Sequence, residues 1–364
     1  MSGSLSTPTA LSHEVLKAAE LAARHAESAD LSGRLPGEVV DALVTAGFAR
    51  HFVPTRWGGR AGGFEELLDT VAAVGEGCTS AAWIAAVTSG AARMGACLPE
   101  EGQRELWSGG ADTVVAGALV PAGRATAVAD GWQLAGEWPL VSGADFADWA
   151  LVCASAPKDV RFFAVPRRDF RVAETWRNVG MRATASNTLV MKGVFVPGHR
   201  SVPREDIWQG CAVGSPSPCH RAPLRAISGI LFASPVLGAA RAAVRTWSAR
   251  MSGRPAADPL VLSRAEGGIE STGLLLRRAA RTADAGFRDA GDLLRGPRDC
   301  ALAADQLVTA VEHLFRSAGT GAQTLTDPLQ RVWRDVHCAA SHAALRFEGA
   351  GSAQGARLLE GGTG

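Results

Sequence analysis

The sequence predicts a mainly α-helical protein with a small β-domain in its middle and a four-helix bundle near its end. Three observations carry this. Residues 1–111 place apolar side chains at helical spacing. Residues 112–203 break into short β-branched and aromatic runs between turn residues. Residues 224–348 return to long helical periods joined by short loops. The length of 364 residues suits two or three packed units at roughly 100–200 residues each, and 47% hydrophobic content suits a genuine core.

The elements follow in order. Pro36 sits where a first-turn proline belongs, Val39, Val40, Leu43 and Val44 form an apolar stripe, and Gly47 stops that helix. A Gly-rich loop over 51–63 precedes helices expected over 64–76 and 80–96, the second with Ser80 as N-cap. Strands are expected over 113–120, 150–154, 161–165 and 188–196, and the Asp130-Gly131 step signals a hairpin. Residues 204–223, with Gly214, Pro216 and Pro218, read as a linker. Bundle helices are expected over 226–251, 258–289, 298–317 and 328–348, and residues 349–364 as a flexible Gly-rich tail.

Several function classes drop out. A formal net charge of +1 lacks the cationic excess of a nucleic-acid or membrane-surface binder. Residues 1–10 carry no basic-then-apolar targeting pattern, and no unbroken apolar run reaches the length of a membrane span. Seven scattered cysteines without a Cys-x-x-Cys pair suit free thiols in a reducing compartment, so the reading is a soluble cytoplasmic protein. The eight histidines show no metal-ligand spacing, and no metal is expected. No Gly-x-Gly-x-x-Gly step links a strand to a helix, so the chain lacks its own nicotinamide-binding domain.

Three motifs sharpen the picture. Glu137-Trp138-Pro139-Leu140-Val141-Ser142-Gly143 contains Trp-Pro-x-x-Ser-Gly. Gly180-Met181-Arg182-Ala183-Thr184-Ala185-Ser186 contains Gly-x-Arg-x-Thr-x-Ser. Asp327-Pro328-Leu329-Gln330-Arg331-Val332-Trp333-Arg334-Asp335 opens the last bundle helix, with His342 eight residues after Arg334. With the helical–β–helical order, they resemble the flavin-dependent monooxygenase branch of the acyl-CoA dehydrogenase fold over residues 35–347. One departure is that Ala183 and Ala185 stand where that branch usually has glycine.

The resemblance implies an oxygenase component that hydroxylates an aromatic or polyketide-like small molecule in secondary metabolism through a flavin C4a-hydroperoxide. It implies reduced FMN, with FAD the other option, molecular oxygen, a separate NAD(P)H-dependent flavin reductase, and a homotetramer or dimer. His342 and Ser142 are the catalytic candidates. An imidazole, with an ordinary pKa near ~6.5, can hydrogen-bond the peroxide or accept a substrate proton. By periodicity alone Arg331, Asp335, Cys338 and His342 share a helix face that is either a solvated stripe or a site, and the resemblance turns it toward the flavin. His337 is the competing histidine. Ser142, with Gly143 allowing close approach, is expected at the flavin ring edge near N5, and Thr184 and Ser186 beside the flavin. Trp83 and Trp138 are candidates to pack against the ring, with a core role the alternative. Arg264 and Gly319 are candidates for the cofactor phosphate. The rival reading is an FAD-dependent acyl-CoA or acyl-carrier-protein thioester dehydrogenase. Ala343 occupies the position where many of those enzymes carry the catalytic Glu, and Glu348 comes five residues late.

Overall fold

The computed structural model describes residues 11–361. Residues 1–10, read above for a targeting segment, and 362–364, the end of the expected tail, lie outside the described residues. The N-terminal unit holds α1 (His13–Ser32), α2 (Gly37–Thr45), α3 (Phe64–Gly75), α4 (Thr79–Gly95) and α5 (Glu100–Leu106). Ser12 caps α1 by accepting the Val15 N–H, and Gly33 closes it at φ +72°. Helix α4 begins one residue earlier than expected, with Cys78 rather than Ser80 at its N-cap and no side-chain cap bond. It is buried on all sides except at Val87, the mark of a helix enclosed by the units it joins.

The β-domain is one seven-stranded sheet: β1 (Val115–Val128), β2 (Gly131–Val141), β3 (Trp149–Ser155), β4 (Val160–Pro166), β5 (Arg171–Ala173), β6 (Asn187–Pro197) and β7 (Ser201–Pro203), in the order β5-β6-β2-β1-β3-β4-β7. The expected hairpin joins β1 to β2, with Asp130 at φ +60°. Only β1 and β3 run parallel; every other paired neighbour is antiparallel. The segment read as a linker is built structure instead, with α6 (Arg204–Gln209) and α7 (Pro218–Arg221). Buried polar contacts hold it. Arg93 donates to the Cys219 carbonyl at 2.5 Å, and the His220 ring bonds the Phe52 carbonyl at 2.6 Å.

The C-terminal unit packs α8 (Leu224–Met251), α9 (Pro259–Ala285), α10 (Ala290–Ser317) and α11 (Pro328–Ala340) against one another, followed by α12 (Phe347–Leu359). Helix α10 starts eight residues before its expected start because Asp289 caps it through the Asp292 N–H. Helix α8 is long and apolar enough to cross a membrane, but 78% of that stretch is buried inside the fold.

Two expectations about the chain's end are corrected. The last bundle helix does not run to residue 348. It stops at Ala340, residues Ala343–Leu345 form a short 3-10 turn, and α12 then occupies most of the expected tail. The break lies at His342, whose backbone is extended (φ −60°, ψ 139°) and whose side chain takes a backbone N–H that a continuing helix would have used. Nor is Asp335 on a solvated stripe. It is buried and accepts the Met181 N–H at 2.6 Å. Arg334 beside it pairs with Asp30 of α1 at 2.7 Å and donates to the Val179 carbonyl. Gly180 has to be glycine here, because a Cβ would overlap the Arg334 backbone. The Arg-Asp pair therefore clamps α1, the 178–184 loop and α11 together.

Candidate active site

A cavity of about 1260 Å³ opens where α4, the sheet and the bundle meet. Most of its lining is apolar. Helix α4 contributes Trp83 and Met94, β1 contributes residues 117–120, β2 contributes residues 138–140 and the turn after it Ser142, α8 contributes Leu231 and Phe232, and the break after α11 contributes His342.

The sheet wall is shaped by a bulge. Pairing of β2 with β6 slips between Trp138 and Val141, and Leu140 takes a left-handed φ of +61° that turns the chain. This brings Ser142 to the cavity and starts a hydrogen-bonded chain. The Trp83 indole donates to Ser142 Oγ at 3.0 Å. Ser142 and Ser186 hydroxyls meet at 2.7 Å, Ser186 and Thr184 at 2.7 Å, and Thr184 donates to the Met181 carbonyl at 2.8 Å. Both ends fix the direction, because an indole N–H only donates and a carbonyl only accepts. Thr184 gives its proton to Met181, so Ser186 must give its proton to Thr184, and Ser142 its proton to Ser186. Ser142 is left facing the cavity as an acceptor. Met181 in turn hangs from Asp335, whose carboxyl burial pushes up to about 6.

The helical wall works the other way. The His342 Nδ1 accepts the Ala344 N–H at 3.2 Å, so the proton of the neutral ring sits on Nε2. Its ring stacks on Phe232 at 3.7 Å between centroids and meets Trp83 edge-on at 5.8 Å. Burial, reinforced by the nearby Arg346 guanidinium, lowers its pKa to about 4. At neutral pH His342 is an uncharged donor, and its Nε2 has no partner among the described residues.

The other expected site residues fall out differently. Trp138 is a core side chain of the β-domain with one edge on the cavity wall. Its indole donates to the Cys153 carbonyl at 2.6 Å, and Gly123 leaves the space that its ring fills. Gly143 does not reach the cavity. It turns the chain at φ +72° against Ile84, and its N–H donates to the Thr184 carbonyl. Arg264 lies exposed on α9 and Gly319 in the turn after α10, and neither joins the cavity of its own chain. His337 pairs with Glu312 at 3.2 Å beside Trp333, away from the cavity. Ala185, where the resembling branch has glycine, sits at φ +43°, a region that costs an alanine about 1–2 kcal/mol. Sequence reasoning missed Phe232, which nothing in the apolar run of α8 separates from core, and the Arg334–Asp335 clamp, legible only as part of a motif.

The donor set fits a flavin ring. A reduced flavin presents N5–H, which needs an acceptor such as Ser142, and its reaction with oxygen needs a water-poor chamber with a fixed donor such as His342. Among the described residues no carboxylate stands inside the cavity where a thioester dehydrogenase would need one. The one carboxylate lining the cavity among the described residues is Glu348, exposed on the first turn of α12.

Fold and cavity together define a flavin-dependent oxidoreductase with the acyl-CoA dehydrogenase architecture. Residues 230–347 match the family model described as acyl-CoA dehydrogenase, C-terminal domain. The oxygenase subunit HsaA of a flavin-dependent monooxygenase from Rhodococcus jostii (strain RHA1) is 29% identical over 88% of this chain and 90% of its own length. The oxygenase component of an FADH(2)-dependent resorcinol hydroxylase from Rhizobium sp. (strain MTP-10005) is 28% identical over 94% and 92%. Among solved structures, the 3-HSA hydroxylase from Rhodococcus sp. RHA1 superposes with a TM-score of 0.90 at 26% identity, covering 96% of this chain and 97% of that one. XiaF from Streptomyces sp., solved with FADH2 and glycerol, gives 0.89 at 26% identity, covering 95% and 94%. Over most of its length the chain is thus similar to oxygenase subunits of flavin-dependent monooxygenases, and it shares their acyl-CoA dehydrogenase fold.

Proposed function

We propose that the chain is the oxygenase component of a two-component system that hydroxylates an aromatic or polyketide-like small molecule with reduced flavin delivered by a separate NAD(P)H-dependent reductase. The observation that carries this reading is the pair of opposed groups on one apolar cavity, the acceptor Ser142 and the neutral donor His342. Bound reduced flavin supplies the two electrons with which oxygen is cleaved, one atom going to the substrate and one to water. Trp83 and Ser142 would hold the ring edge, with Ser142 Oγ accepting from N5–H. Ser186 and Thr184 hold the Ser142 proton away from the cavity. His342 donates from Nε2 toward the oxygen-bearing face and, capped at Nδ1, acts as a donor rather than a base. Phe232 and Met94 exclude water from that face.

The expectation from sequence is FMN. The names of the resorcinol hydroxylase and of the XiaF complex both carry FADH2, which supports testing FAD beside it. A homo-oligomer, tetramer or dimer, belongs to the same reading and is supported by the exposed Leu260 and Leu274 on α9. A cytoplasmic location is supported by seven free thiols.

The test is to mix the purified protein anaerobically with chemically reduced FAD or FMN, then add oxygen and a panel of phenols and polycyclic phenols. Hydroxylated product in proportion to flavin is the expected result. Oxygen consumption that yields only hydrogen peroxide across the panel, together with bleaching of bound FAD by acyl thioesters, would replace this reading with the dehydrogenase.

A further inference from the structure

The mouth of the cavity has two unlike lips. On the sheet side Val120 and Leu140 stand 73% and 69% exposed, Leu140 held outward by its left-handed backbone. On the helical side Arg225 and Arg346 border the cavity and are exposed, and neither guanidinium has a hydrogen bond or ion pair among the described residues. Elsewhere in the bundle Arg250, Arg278 and Arg295 each pair with an aspartate. Each of the two also stands at a helix start. Arg225 is the second residue of α8 and Arg346 is the N-cap residue of α12, and neither helix start has a side-chain cap. The free first-turn N–H groups of both helices add partial positive charge to that lip. Glu348, also on the rim, offsets only one of the two cations.

We propose that this rim is an anion-recognition site, receiving the carboxylate, sulfonate or phosphate at one end of a molecule whose aromatic body lies in the cavity. The inference rests on the reading of the cavity as the reaction chamber and narrows its ligand to an amphiphile. A guanidinium fork binds a planar or tetrahedral oxyanion through paired N–H groups, and two forks over an apolar opening concentrate anions there. The apolar lip of Val120 and Leu140 faces the hydrophobic side of the same molecule. A substrate acid and the phosphate of FMN offer this chemistry alike, and the experiment separates them.

The first arm titrates 8-anilino-1-naphthalenesulfonate and its uncharged counterpart N-phenyl-1-naphthylamine by fluorescence into wild type, Arg225→Gln, Arg346→Gln and the double variant. The sulfonate is expected to lose about threefold in affinity in either single variant and about tenfold in the double, as for exposed charge pairs. The neutral probe should bind all four proteins equally, and 1 M salt should erase the difference. The second arm compares reduced FMN with reduced riboflavin under anaerobic conditions. Weaker FMN binding in the double variant, with riboflavin and the sulfonate unchanged, supports the site and assigns it to the cofactor phosphate. Equal binding of both charged probes to wild type and the double variant overturns the proposal. Both arginines are exposed, so thermal midpoints should match and the comparison holds. No arm reads turnover, so that failure leaves the monooxygenase reading intact, whereas hydrogen peroxide as the sole product would strike that reading alone.

Discussion

The sheet wall of the cavity ends in a hydroxyl whose proton is turned away, whereas the helical wall ends in an imidazole whose free proton is available to a ligand. Ser142 owes its state to a run of partners reaching back through Ser186 and Thr184 to Met181. His342 owes its state to one cap bond and one stacked ring. The sheet wall is thus a network, in which a distant change alters the end group without moving it. The helical wall is a single point, which is either intact or lost. Acceptor and donor are set by different physics, and the two walls break differently.

The largest effect should come from the residue on which both walls hang. Arg334 ties α11 to Asp30 and the Val179 carbonyl, and the adjacent Asp335 holds Met181, the far end of the hydroxyl chain. Arg334→Ala removes one partner of a nearly buried pair, which costs about 3–5 kcal/mol of unfolding free energy. Urea denaturation measures this, and a loss below about 1 kcal/mol would mean that the clamp is a surface pair and the walls are anchored elsewhere.

Next in size is the loss of the single point. His342→Ala should lower hydroxylated product per reduced flavin consumed by about 10²-fold, as for removal of one fixed donor, while the protein still folds. His342→Gln, which keeps an N–H, should recover part of it. Unchanged coupling in the alanine variant would take His342 out of the chemistry and leave it as a cap.

The contrast also explains what could be read from sequence. The sheet wall was legible because strand chemistry is local. The Asp130-Gly131 turn, the Trp-Pro-x-x-Ser-Gly run and the alternating Thr184 and Ser186 each announce themselves within a few residues. The identity of His342 was legible, but its geometry was not. Helical periodicity continues past Ala340, and nothing in the residue types shows that an imidazole will take the Ala344 N–H and end the helix. The same assumption of continuity hid α12 in a tail rich in glycine. The residue types left Asp335 open between a solvated stripe and a site, because its partner, the Met181 N–H, lies in another unit of the chain. For Trp138 the choice between ring contact and core stayed open for a related reason: the space that buries its ring comes from Gly123, on a neighbouring strand.

A smaller effect concerns pH. Burial lowers His342 from 6.5 to about 4, so its donor state persists as pH falls through the range where an ordinary histidine charges. Coupling should therefore stay level between about pH 5 and 8, and a fall centred near ~6.5 would mean an exposed, ordinary imidazole. The folded-state pKa is depressed, so the contribution of His342 to stability is fully present above 6.5. It is lost as pH falls from 6.5 to about 4, where the folded form also protonates. Urea midpoints of wild type and His342→Gln should accordingly converge as pH is lowered through that window.

The smallest effect is the most specific to the network. Oxidised flavin carries no proton on N5, and reduced flavin does, so an acceptor-only Ser142 favours the reduced form. Ser186→Ala removes the group that receives the Ser142 proton and frees that hydroxyl to donate. Affinity for oxidised flavin should then rise by about threefold to tenfold, the worth of one net hydrogen bond, while reduced flavin gains nothing. Ser142→Ala should instead flatten the preference by weakening the reduced form. Fluorescence titration of oxidised flavin and anaerobic titration of reduced flavin read both without turnover. A Ser186→Ala variant with an unaltered ratio of the two affinities would show that the hydroxyl chain does not govern which redox state the sheet wall accepts.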